Sequence, residues 1–136
     1  MNDSRNDEPL QQFEDCSLPL ERFDHRVHIQ IAFLYLRKYP LLEVLRRFPE
    51  ALKRYAAVHG KTGLYHETIT WAYILLIHER MNRAGQPQAW EEFAAMNEDL
   101  LTWPGSILKQ YYRDETLSSE LARKIFVFPD KAPALP

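Results

Sequence analysis

The seven residues Trp71-Ala-Tyr-Ile-Leu-Leu-Ile77 are apolar around the whole circumference of a helix, and no other stretch of the chain restricts its fold as strongly. A helix with water along one side keeps a polar face, so one without it has to be covered by neighbours on several sides. The run lies inside a longer segment, about Leu64 to Arg83, which is the predicted central helix of the chain. It is far too short to cross a bilayer.

The flanking sequence supplies those neighbours. Asp24 is a good N-cap, Phe23 before it can staple onto His28, and Val27, Ile31, Leu34 with Ala32, Phe33 and Leu36 recur at helical spacing until Pro40 stops the segment. A second helix is predicted from about Leu42 to His59, with Leu42, Leu45, Phe48, Leu52, Tyr55 and Ala56 facing inward and Gly60 as its stop. Pro49 lies inside it and predicts a kink, or two stacked helices, near Phe48. Beyond the Ala84-Gly85-Gln86-Pro87 break come shorter helices, from about Ala89 to Met96, Ile107 to Arg113 and Leu117 to Lys124, with Asn97 and Ser106 as caps. Ile125-Phe-Val-Phe128 reads as an extended segment packed on the bundle. The fold class is therefore all-α, one helical bundle of five or six helices. Residues 1–19, with only Leu10, Phe13 and Leu18 as possible anchors, are expected to form a flexible or loosely docked arm, 20–130 the helical domain and 131–136 an irregular tail.

Charge and cysteine content narrow the function. The 17 basic and 19 acidic side chains are spread along the 136 residues for a net charge of −2, so there is no basic footprint for nucleic acid. Cys16 is the one cysteine, which rules out an internal disulfide and a thiolate-rich zinc site and points to a reducing compartment. With no apolar signal segment at the N-terminus, the expectation is a cytoplasmic protein away from membranes. No Gly-x-Ser-x-Gly elbow, H-E-x-x-H pair or glycine-rich phosphate loop occurs.

The histidines carry what chemistry there is. His25 and His28 open the first long helix, His59 closes the second, and His66 with Glu67 opens the third. In an up-down bundle these ends coincide, whereas His78 lies roughly 18 Å further along at about 1.5 Å per residue. His28 continues into the inward stripe Ala32, Tyr35 and Leu36, and His66 into Thr70, Tyr73 and Ile77. A pocket is expected there, with His28 and His66 at its centre and His25, Tyr65, Glu67 and Thr70 around it. Imidazoles beside a carboxylate suit zinc or iron(II), with His28, His66 and Glu67 as the metal ligands. Two helix N-termini aimed at the same place also suit a small anionic ligand, and they lower the pKa of a nearby imidazole. The competing reading is a non-catalytic interaction module in which the histidines only fix helix ends. Exposed Trp90, Trp103 and Phe128 would favour it, and self-association stays open.

Phe23-Asp-His-Arg-Val-His28 and Tyr65-His-Glu-Thr-Ile-Thr70, with Tyr111-Tyr112 and Phe126-Val-Phe-Pro-Asp130, resemble the signature of a family of short bacterial all-helical proteins of unknown function. The resemblance implies a shared compact fold and a shared site. It attaches no activity, cofactor or partner.

Overall fold

The computed structural model describes residues 8–131. Its α-helices are α1 (Glu8–Glu14), α2 (His25–Lys38), α3 (Leu41–Val58), α4 (Glu67–Arg83), α5 (Trp90–Met96), α6 (Asp114–Leu117) and α7 (Glu120–Lys124). Single 3₁₀ turns at Leu20–Arg22, Thr62–Leu64, Glu98–Leu100 and Ile107–Gln110 connect them. Among the described residues there is no strand, and no helix is long and apolar enough to cross a membrane. The fold is all-α.

Two helices share the centre. α4 packs on α2, α3 and α7, and α2 packs on α1, α3, α4 and α5. Ala72, Tyr73, Ile74 and Ile77 of α4 are buried, as an all-round apolar helix requires, while Trp71, Leu75 and Leu76 are half-buried beneath the C-terminal segment. Ile74 is completely enclosed. Ile74→Val removes one methylene from a site with little room to collapse, and should lower stability by about 0.5–1.5 kcal/mol, read from the urea midpoint at unchanged slope.

The helix ends follow local chemistry. Asp24 caps α2 by accepting the Val27 N–H at 2.9 Å, and the Phe23 ring packs on His28 with centroids 5.6 Å apart. α3 runs unbroken through Pro49, so of the two expected outcomes, a kink or two stacked helices, the second does not occur. Its inward face is Val44, Phe48, Ala51, Leu52 and Tyr55, whereas Leu42, expected inside, is 80% exposed. The face starts at Leu41 and Val44, each one position before the predicted Leu42 and Leu45. The predicted helix from Leu117 to Lys124 is divided, because the Ser119 hydroxyl accepts the Ala122 N–H at 3.1 Å and starts α7 afresh. The helix expected from Ile107 to Arg113 is a 3₁₀ turn ending at Gln110.

The largest departure is at the N-terminus. Residues 8–18, expected to belong to a flexible or loosely docked arm, form α1 and a turn that are docked on α2 and α3 with the three possible anchors, Leu10, Phe13 and Leu18, buried. A seven-residue helix has little stability of its own. Tertiary contacts hold this one: the Tyr35 hydroxyl donates to Glu14 at 2.8 Å, the Tyr55 hydroxyl to the Leu18 carbonyl at 2.8 Å, and Arg54 to the Glu14 carbonyl at 3.2 Å. Residues 1–7 of the expected arm and 132–136 of the expected tail lie outside the described residues.

The segment after α7 is pinned to α4 by one buried hydroxyl. Thr68 donates to the Ile125 carbonyl at 2.7 Å and accepts the Val127 N–H at 3.1 Å, while the Tyr112 hydroxyl donates to the Val127 carbonyl at 2.7 Å. Phe126 rests on Trp71, centroids 5.8 Å apart, and Phe128 points outward.

Candidate functional site

The start of α2, the start of α4 and the Trp103 loop enclose an open cavity of about 260 Å³. His25, His28, His66 and Thr70 line it, so four of the six residues expected around a pocket share one space. Tyr65 and Glu67 do not. The Tyr65 hydroxyl donates to the Glu67 carboxylate at the first residue of α4, and neither side chain is on the cavity wall. His59 stands apart as well, at the C-cap of α3, where its Nε2–H donates to the Cys16 carbonyl at 3.1 Å and helps to hold the turn after α1.

His66 is the N-cap of α4. Its Nδ1 accepts the Ile69 N–H at 3.1 Å and its Nε2 lies 2.7 Å from the Leu117 carbonyl. A carbonyl only accepts, so Nε2 carries the proton and Nδ1 the lone pair, and both ring nitrogens are spent within the fold. Arg123 reinforces the same junction by donating to the Gly63 and Tyr65 carbonyls at 2.7 and 3.1 Å. His66→Ala removes a cap and leaves the Leu117 carbonyl unpaired. It should cost roughly 1–3 kcal/mol, and His66→Asn should recover about 1 kcal/mol of that through the cap alone. Urea midpoints of the three proteins, with and without added zinc, check both figures.

His25 and His28 differ from it. His25 donates Nε2–H to the Leu100 carbonyl at 2.9 Å, which leaves Nδ1 as an acceptor. Its ring stacks on Trp103, centroids 5.1 Å apart, and meets Tyr73 edge-on at 5.1 Å. Burial holds its pKa below the ordinary imidazole value, partly offset by the Leu100 carbonyl and the Asp24 carboxylate. His28 is wedged between Phe23 and Phe48, with centroids 5.6 and 5.5 Å away. Its Nε2 is enclosed and is the one buried side-chain nitrogen or oxygen without a hydrogen-bond partner among the described residues. Burial, helped by the neighbouring His25, pushes its pKa down to about 4. Both rings are therefore uncharged near neutral pH.

Asp24, Tyr73 and Trp103 also stand on the wall, with the apolar side chains of Phe23, Leu52, Leu64 and Ile69, and are not among the predicted site residues. Tyr73 was within reach of sequence reasoning, as the third member of the His66–Thr70–Tyr73 stripe. Trp103 was not, because it arrives on a loop far along the chain. Tyr73 is held in place by a hydrogen bond to the Ser106 hydroxyl, which also caps the turn at Ile107. Among the described residues no group of three or more His, Cys, Asp or Glu side chains is placed to hold a metal ion. No family model matches the chain, and neither a curated protein nor a solved structure does.

Proposed function

We propose that this protein binds a small organic molecule in the cavity between the N-terminal ends of α2 and α4. His28 carries the reading: an orphaned imidazole nitrogen in a ring that lines an opening. Such a nitrogen costs about 1–3 kcal/mol inside a protein, and a fold retains a cost of that size where the group has a use. The His25 ring, stacked by Trp103 and held by Leu100, supplies a lone pair on Nδ1 with a fixed direction. A cavity of about 260 Å³ suits a compact occupant, near the lower end of the roughly 300–1,000 Å³ of small-molecule sites.

The same chemistry bears on a metal ion as the occupant. His66 has no lone pair to give and Glu67 lies off the wall, and the Asp24 carboxylate that remains beside the two imidazoles is engaged as the cap of α2, so no set of the three or four protein ligands that zinc takes is placed there. The lone cysteine supports a reducing, cytoplasmic setting.

The test uses Leu64→Trp, which places a large ring at the mouth from an exposed position. Fragments that shift the backbone amide signals of His28, Thr70 and Tyr73 in the wild-type protein should lose that effect in the variant. Failure of any fragment to move those signals, or equal effects in both proteins, would overturn the reading. A second reading, an interaction module, is favoured by Phe128, 80% exposed beside an apolar groove formed by Leu75, Leu76, Tyr111 and Phe126. Sedimentation of wild type and Phe128→Asp decides it: self-association that the variant abolishes would place the function on that face.

A further inference from the structure

We propose that the occupant of the cavity is a small organic cation, an ammonium group on a compact apolar or aromatic body. The proposal rests on the cavity being a ligand site. Its first support is the sign of the wall. Asp24 lines the cavity and no lysine or arginine does, so the fixed charge around the opening is negative.

The second support is what the helix ends are already doing. Free N–H groups and the macrodipole make a helix N-terminus attractive to anions. Here the Asp24 carboxylate takes the Val27 N–H at 2.9 Å, and His66 Nδ1 takes the Ile69 N–H at 3.1 Å. An incoming carboxylate or phosphate would have to displace one of these caps or sit beside a like charge. At each helix start one of the free N–H groups is thus taken within the fold, and at α2 the group that takes it is itself an anion.

The remaining groups on the wall accept protons or attract positive charge. His25 and His28 are uncharged near neutral pH and so put no positive charge on the wall, and His25 offers a lone pair through Nδ1 because its Nε2–H is spent on Leu100. The rings of Phe23, Tyr73 and Trp103 also border the cavity, and an aromatic face attracts a cation within about 6 Å of its centroid. An ammonium group matches this set with three donors and a charge, while its body takes the apolar surface of Leu52 and Ile69.

Three probes that share one ring separate the head groups: benzylammonium, benzyl alcohol and benzoate, titrated into the full chain at pH 7.5 and followed by the amide signals of His28, Thr70 and Tyr73. Benzylammonium should bind at least about tenfold more tightly than benzoate, the ratio that corresponds to roughly 1.4 kcal/mol. Asp24→Asn keeps an equally good helix cap and removes the charge. It should weaken benzylammonium about three- to tenfold and leave benzyl alcohol unmoved, and raising the salt should act in the same direction on the wild-type protein. Benzoate binding as tightly as benzylammonium, or ammonium affinity insensitive to both Asp24→Asn and salt, overturns the cation assignment while the cavity stands as a site for other chemistry. If none of the three probes moves those signals, the ligand site itself falls.

Discussion

Phe13→Ala is expected to lower stability by about 3–5 kcal/mol, the largest effect of any single substitution considered for this chain. Phe13 is completely buried and its ring meets Phe23, Phe48 and Tyr55 at centroid distances of 5.5, 5.6 and 5.3 Å. Alanine would remove the transfer energy of the ring and leave a hole bounded by other aromatic rings, which pack too stiffly to close it. The same change releases the contact that seats α1, since its polar anchors at Glu14, Cys16 and Leu18 follow the helix. Urea unfolding gives the magnitude, and hydrogen exchange of the amides from Leu10 to Glu14 reports whether α1 opens. A loss below about 0.5 kcal/mol, within the range of ordinary surface substitutions, would mean that α1 is peripheral after all.

Acid should destabilise the protein through His28. The folded chain keeps this imidazole neutral down to about pH 4, whereas the unfolded chain takes up a proton near 6.5. Between those values the unfolded state binds more protons, so stability rises with pH across the window. The contribution is whole above pH 6.5 and is lost as pH falls through the window to about 4, roughly 3 kcal/mol at about 1.4 kcal/mol per pH unit. His25, also held below the ordinary value, adds in the same direction. Unfolding midpoints from pH 7.5 to 4 should therefore fall steeply for the wild type and less steeply for His28→Leu, with a remaining slope from His25. Parallel curves for the two proteins would show that His28 is solvated and free to titrate.

Much of the helical scaffold was legible along the chain. Asp24 before an apolar stripe, Pro40 and Gly60 each act within one turn of their own position, so the limits of α2 and α3 follow from local backbone chemistry, and the all-round run Trp71–Ile77 marks α4, which starts at Glu67 rather than at the predicted Leu64 because His66 caps it. The tight spot was Ser119, whose hydroxyl prefers a new cap to continuing a helix. α1 was missed because Leu10, Phe13 and Leu18 are too few to define a periodic face; only the Phe23, Phe48 and Tyr55 rings on other elements give them somewhere to go.

For the site, the linear order of the chain determined which histidines reach one end: His25, His28 and His66 stand at helix starts, and consecutive antiparallel helices bring those starts together. Their roles were decided by partners distant in sequence. The Leu117 carbonyl takes the remaining proton of His66, the Leu100 carbonyl orients His25, the Cys16 carbonyl claims His59, and Tyr65 draws Glu67 away from the cavity. An imidazole has two nitrogens and little intrinsic preference between a backbone carbonyl, a proton and a ligand. Which of them it meets depends on where the rest of the chain places its carbonyl groups, and only the packed structure determines that.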